Sequence, residues 1–224
     1  MSYTNKQFFD CIKAAVIADA KRSGILASLT AAQAFIESGS GNSGLTEKAN
    51  NLFGVKGSYN GQYVTMKTQE WDGTKYITVY ANFRKYPSWQ ESIQDHSDFL
   101  LKNSRYKNVI GVKDYRTACQ LIHQDGYATS PTYADTLIKT IERFSLYEWD
   151  RAEPFVPYAG TITASWLKVR QGAGKHYDVV LNRSNEEFQL EQGTCVAIYD
   201  EVGNWCRINP TRNRWISKDY VQRG

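Results

Sequence analysis

Methionine and proline are scarce in this chain, with 2 and 5 among 224 residues, and it holds 3 histidines and 4 cysteines. The cysteines, Cys11, Cys119, Cys195 and Cys206, stand at no zinc-binding spacing. Cys195 and Cys206 could pair across neighbouring strands or remain two buried thiols. No H-E-x-x-H or comparable cluster occurs, so no metal and no cofactor is expected. No stretch is apolar enough for a membrane span. The opening MSYTNKQFFD lacks a basic segment followed by an apolar one. Charge of neither sign dominates: the net +4 is shared equally by residues 1–150 and 151–224, with no basic tail. Nucleic-acid binding therefore has little electrostatic support.

What the chain does have is 42% hydrophobic residues, enough for a core, and 13% aromatics, with 15 Tyr and 6 Trp. Such an excess suits surfaces that stack on sugars, and it equally suits ordinary core and rim positions.

Two halves separate by pattern. Up to Asp150 the apolar spacing is mainly helical. Thr4 to Gln7 is a capping box, followed by Phe8, Ile12, Val16 and Ala20 on one face, with Gly24 as terminator. Thr30 to Gln33 is a second box, opening a short helix through Ser38 that Gly39 and Gly41 stop. Tyr63–Met66 and Tyr76–Tyr80 are β-rich and flank Asp72-Gly73, a hairpin turn signature. Ser88 to Glu91 is a third box, starting a helix to about Lys102, and a further helix runs from Asp114 to about Gln124. Ser130-Pro131 opens a last helix to about Tyr147, which would put Tyr133 at its third position. Residues 151–157 contain Pro154 and Pro157, carry no period, and read as a linker. Residues 158–224 show short β runs at Leu167–Val169, Cys195–Tyr199, Trp205–Ile208 and Arg214–Ile216, as a small barrel would.

Within the helical half, Gln33-Ala34-Phe35-Ile36-Glu37-Ser38-Gly39 sets a lone acid at the end of an apolar turn. Hydrocarbon crowding disfavours a carboxylate and raises its pKa, which is what a general acid needs near neutral pH. A solvated Glu is the competing reading, although the helix dipole disfavours an anion at that end. In Asn50-Asn51-Leu52-Phe53-Gly54-Val55-Lys56-Gly57 the glycines permit tight turns, Asn51 could hold the loop or meet a sugar hydroxyl, and Phe53 could pack in the core or floor a groove. His123 follows Cys119 by one helical turn, but a nucleophilic Cys normally takes its base from a distant part of the chain. His96 is expected to be a hydrogen-bonded structural residue.

These segments resemble a known family. Q-x-x-x-E-S-G followed by N-L-F-G-V-K-G is similar to the glucosaminidases of glycoside hydrolase family 73, which includes bacterial autolysins. Phe83-Arg84-Lys85-Tyr86, then Ser92, Asp95 and His96, and then Gly126-Tyr127-Ala128-Thr129-Ser130-Pro131-Thr132-Tyr133-Ala134, agree with it in order. Ser130 stands where the family usually has Asp, and both can cap a helix. The resemblance spans about residues 5–147. It implies an α+β class, with a lysozyme-like, mainly helical catalytic domain (1–150) carrying a small β-lobe. It also implies cleavage of the β-1,4 bond on the reducing side of N-acetylglucosamine in bacterial peptidoglycan. Glu37 matches the catalytic acid, and Tyr127 and Tyr133 match active-site tyrosines. Glu70 is similar in placement to a second acid, with Asp72 as competitor. Gln33, Asn51, Phe53, Gly54, Tyr86 and Thr129 are candidate substrate contacts. Carboxyl separation would bear on the route: about 5–5.5 Å suits a nucleophile and about 6.5–9.5 Å leaves room for water, while a third route uses the substrate's own N-acetyl group. A muramidase or lytic transglycosylase cutting the other glycan bond, and a wall module without activity, are the alternatives.

Leu167-Lys168-Val169-Arg170-Gln171-Gly172-Ala173-Gly174 resembles the opening of bacterial SH3 domains, with Lys168 and Ala173 where Asn and Pro are usual. This implies a wall-binding domain over 158–224, meeting peptide stems or cross-bridges. Trp166, Tyr177, Trp205, Trp215 and Tyr220 are its candidate contacts, some of them needed to close so small a core. Location is expected to be extracellular or at the cell wall. The opening residues tilt expectation toward a phage lysin made in the host cytoplasm and released at lysis.

Overall fold

The structure, a computed structural model, describes residues 2–71, 74–151 and 155–224, leaving aside the side chains of Glu70, Trp71 and Tyr76. The chain divides into two compact units, Met1–Arg151 and Ala152–Gly224. Phe155, within the expected linker, packs against the core of the second unit.

In the first unit α1 (Asn5–Ser23) begins with both halves of the expected capping box at Thr4 and Gln7 and ends at Gly24 in the left-handed conformation. Phe8, Ile12 and Val16 are fully buried, each stabilising the fold by about 1.5–3 kcal/mol. Ala20, on the same face, is half-buried. The helix packs on α2 (Ala27–Ser38) and α4 (Trp89–Lys102).

The start of α2 departs from the sequence expectation. Thr30 is a buried interior residue, and the N-cap is Leu26, which has no capping side chain. The cap comes from far away: the Asp150 carboxylate accepts the Ser28 N–H at 2.8 Å. That bond satisfies an amide the helix leaves open and sets a negative charge at its positive end.

A short helix that the sequence pattern did not reveal, α3 (Gly44–Ala49), is capped by Ser43, whose hydroxyl accepts the Thr46 N–H. β1 (Tyr63–Trp71) and β2 (Tyr76–Arg84) then pair antiparallel, from Tyr63 opposite Arg84 to Trp71 opposite Tyr76. The hairpin is longer than the β-rich runs suggested; Asp72 and Gly73 lie outside the described residues. At the head of α4, Ser88 accepts the Gln90 N–H, and the Glu91 carboxylate accepts the Ser88 hydroxyl. α5 (Tyr115–Gln124) is capped by Asp114, which accepts the Thr117 N–H.

The last helix, α6 (Tyr133–Arg143), starts after Thr132, not at Pro131, so Tyr133 is its first residue rather than its third. Residues 130–133 instead form a turn closed by the Tyr133 N–H to Ser130 carbonyl bond. The helix stops before Tyr147 because Ser145 turns left-handed, and Leu146–Asp150 form a separate 3-10 turn. That turn packs on α2 and delivers Asp150 to it.

The second unit is built of short antiparallel strands: β3 (Tyr158–Ile162), β4 (Trp166–Lys168), β5 (Gln189–Glu191), β6 (Cys195–Ile198), β7 (Asp200–Val202), β8 (Trp205–Arg207), β9 (Trp215–Ser217) and β10 (Val221–Arg223). They pair in the orders β10-β3-β6, β4-β5 and β7-β8-β9. Ile162, Leu167, Val169, Val180, Ile198, Cys206 and Ile216 form the core. Cys195 lies opposite Thr161 and is exposed, whereas Cys206 is buried opposite Glu201 and Ile216. The two thiols are free and do not pair.

Candidate active site

Glu37 occupies the last turn of α2, where Gly39, at φ 58°, ends the helix. The expectation that Ala34, Phe35 and Ile36 bury it is corrected. Ala34 faces the core, Phe35 and Ile36 are half-buried, and Glu37 itself is exposed. Its partner comes from α6: the Tyr133 hydroxyl donates to Glu37 Oε1 at 3.0 Å. Desolvation by the surrounding protein raises the Glu37 pKa and outweighs the lowering effect of that bond. An accessible carboxyl with a raised pKa can hold a proton and still present it to a ligand.

Tyr133 is itself nearly buried and stacks on Tyr127, with ring centroids 5.8 Å apart. The Tyr127 hydroxyl meets His96 Nε2 at 3.1 Å. Burial raises the pKa of both tyrosines, so they stay protonated. The same cause pushes His96 down to about 3, so its ring is neutral. Phe53 stacks on His96 with centroids 3.9 Å apart, joining the N-L-F-G loop to the tyrosine pair.

The segments singled out in the sequence interlock. Asn51 donates its side-chain N–H groups to the carbonyls of Val55 and Arg84 and accepts the N–H groups of Phe53 and Val55. Gly54, at φ 66°, lets this loop turn. Ser92 accepts the Leu52 N–H. Asp95 accepts from Arg84 and from the Tyr86 hydroxyl, both at 2.6 Å.

Several expected substrate contacts are thereby corrected. Asn51 and Tyr86 are 1% and 2% exposed, their polar atoms committed to the protein. Gln33 is fully buried and donates to the Tyr133 oxygen at 3.3 Å. Phe53 is nearly buried, and Thr129 is exposed on the loop before α6. Glu70 lies in β1 opposite Ile77, its side chain outside the described residues. Cys119 is buried and its thiol pKa is pushed up, so it supplies no thiolate. Among the described residues no group of three His, Cys, Asp or Glu could hold a metal ion, and no helix is long and apolar enough to cross a membrane. A groove of about 690 Å3 walled by Tyr3, Glu47, Asn50 and Trp89 does not include the acid or its tyrosines.

A family model described as mannosyl-glycoprotein endo-beta-N-acetylglucosaminidase matches residues 13–146, more than half of the chain. The chain belongs to the glucosaminidase family. That family makes it a glycoside hydrolase. The glucosaminidase region is 43% identical over 135 residues to the exo-glucosaminidase LytG of Bacillus subtilis, covering 58% of this chain and 48% of that protein. It is 33% identical over 157 residues to a probable N-acetylmuramidase of Lactococcus lactis subsp. cremoris, covering 66% and 36%. The chain thus spans half or less of the length of these curated relatives. Among solved structures, the catalytic domain of the autolysin Auto from Listeria monocytogenes matches with a TM-score of 0.62 at 36% identity, over 67% of this chain and 91% of that one. The glycoside hydrolase domain of FlgJ from Salmonella typhimurium matches with a TM-score of 0.55 at 30% identity, over 63% and 98%. The mixed helix and strand architecture of the glucosaminidase unit is accordingly the lysozyme-like one expected.

In the second unit a cavity of about 360 Å3 is lined by Trp166, Trp205, Tyr220, Lys168 and Lys175, among others. Trp166 is 63% exposed. Two other expected surface contacts are placed differently. Trp215 is buried, and Tyr177 is half-buried with its ring against Gly172, where a Cβ would collide with it.

Proposed function

We propose that this protein hydrolyses the glycan strand of bacterial peptidoglycan at the β-1,4 bond between N-acetylglucosamine and N-acetylmuramic acid, with Glu37 as general acid. The observation that carries this is the Tyr133–Glu37 pair: a reachable carboxyl, raised in pKa, on the helix end where the family motif sets its acid. In the proton-transfer step Glu37 protonates the glycosidic oxygen as the carbon–oxygen electron pair moves onto it, and overall one water adds across the bond. Glu70 on β1 is proposed as the second acid. Tyr127 and Tyr133 line the site beside the reacting sugar, and Thr129 reaches it from the loop.

The second unit is proposed to be SH3-like and to hold the enzyme on the wall through the cavity beside Trp166 and Trp205, meeting a peptide stem or cross-bridge. A location outside the cell or in its wall follows.

A second reading has its own support, because one relative is named a probable N-acetylmuramidase. Mass spectrometry of digested wall separates the two. New reducing ends on N-acetylglucosamine support the proposal, and ends on N-acetylmuramic acid replace it with the muramidase. Glu37→Gln should abolish lysis; retained lysis removes the acid assignment.

A further inference from the structure

Gln33 is expected from sequence to touch substrate, yet it is fully buried. It lies one helical turn before Glu37, so both side chains share one face of α2. Between them stands the Tyr133 oxygen, which receives the Gln33 Nε2 hydrogen at 3.3 Å and gives its own hydrogen to Glu37 Oε1 at 3.0 Å. Gln33 Oε1 is buried and has no hydrogen-bond partner among the described residues. Buried side-chain polar atoms without a hydrogen-bond partner are uncommon in folded proteins.

We infer that Gln33 is a positioning residue that fixes the direction of the hydrogen bonds around Glu37, so that the acid proton goes to the substrate and not to Tyr133. This rests on Glu37 being the general acid. A phenol has one hydrogen to give and also accepts. With the Gln33 N–H filling the accepting role, the phenol hydrogen is directed at Glu37. Were the amide reversed, its carbonyl would compete with Glu37 for that single hydrogen. Were Gln33 apolar, the neutral Glu37 could turn its proton into the phenol oxygen and hold it there. With Gln33 in place, the Glu37 proton stays on Oε2, away from the phenol. When that proton moves to the glycosidic oxygen, Glu37 becomes a carboxylate that already accepts the Tyr133 hydrogen. Tyr133 and Gln33 keep all their protons throughout.

The geometry also explains why the residue is an amide. A carboxylate here would accept the phenol hydrogen and add a like charge near Glu37. A thioether of the same length would fill the space and donate nothing.

The test compares Gln33→Met and Gln33→Glu with the wild type. Release of reducing ends from purified wall is followed across pH, with thermal melting as a check on the fold. Gln33→Met should lower kcat by about tenfold to a hundredfold with little change in KM. Its falling alkaline limb should move to higher pH, because the phenol it leaves is a weaker donor to the Glu37 carboxylate. Gln33→Glu should be inactive where the introduced carboxyl is ionised and regain activity at low pH, where the protonated group again donates to Tyr133. A folded Gln33→Met with wild-type kcat and an unmoved limb overturns the inference. Should Gln33→Met not fold, Gln33→Glu decides: a profile parallel to wild type overturns the inference just as well. Glu37→Gln, run alongside, separates the two levels, since activity there means that the acid assignment has failed rather than the role of Gln33.

Discussion

Removing one oxygen from Tyr133 is the sharpest probe of the acid. Tyr133→Phe deletes the donor to Glu37 and the acceptor for Gln33 while leaving the stacking on Tyr127. A hydrogen bond to a charged group contributes about 1.5–3 kcal/mol. Because Glu37 is exposed and solvent screens it, the lower end applies. About 1.5 kcal/mol lost from the carboxylate that forms in the transition state predicts a kcat near one tenth of wild type. The pH profile moves with a definite sign. Desolvation raises the Glu37 pKa and the Tyr133 bond opposes it, so the variant pKa is higher still. A general acid works while protonated, and activity falls as pH rises through its pKa. The alkaline limb of kcat/KM therefore shifts upward even as the plateau drops. His96 cannot mimic this limb, because its pKa is pushed down to about 3. Release of reducing ends from purified wall, measured over pH, reads both quantities. An unchanged plateau, or a limb displaced downward, refutes the assignment of Tyr133 as donor to the acid.

Other expectations are equally direct. Asp150→Ala should cost about 1–2 kcal/mol by uncapping α2, read as a lower Tm; an unchanged Tm would mean the Ser28 contact contributes nothing. Glu37→Gln should raise Tm at neutral pH while abolishing lysis. A carboxyl whose folded pKa lies above its unfolded value costs stability once it is ionised, and the cost disappears as pH falls below the unfolded pKa; a lower Tm at pH 7 would contradict the desolvation. Trp166→Ala should weaken sedimentation with purified wall by about tenfold, and removal of residues 155–224 should weaken it further while cleavage of soluble glycan persists. Unchanged attachment of either variant ends the anchoring proposal.

Local signals carried much of the first unit. The capping box at Thr4 and the apolar series from Phe8 to Val16 were readable because both depend on neighbours within a turn or two. The start of α2 was not, because its cap is a carboxylate 122 positions away in sequence. Thr30 offers the same local pattern as Thr4, and only packing decides that one caps a helix while the other is buried inside one. The site divides the same way. Glu37 could be named as a candidate from its place after an apolar turn, and Tyr133 as one from the family motif. Their mutual hydrogen bond, and the retreat of Asn51, Tyr86 and Gln33 into supporting roles, depend on distances that no spacing rule contains. In the second unit the runs carrying β4, β6, β8 and β9 were readable, whereas β3, β5, β7 and β10 were not: polar or small residues such as Gly160 and Thr161 in β3, Asp200 and Glu201 in β7 and Gln222 and Arg223 in β10 give them no apolar run.

Arg84 closes β2, yet it is tied to α4 through Asp95 and to the N-L-F-G loop through Asn51 and Val55. The root of the hairpin is therefore bolted to the helical body at several points. Any bending of that arm over a bound polymer has to occur farther out along the ribbon, past Tyr63 and Arg84, and the helix bearing the acid can stay still while it happens.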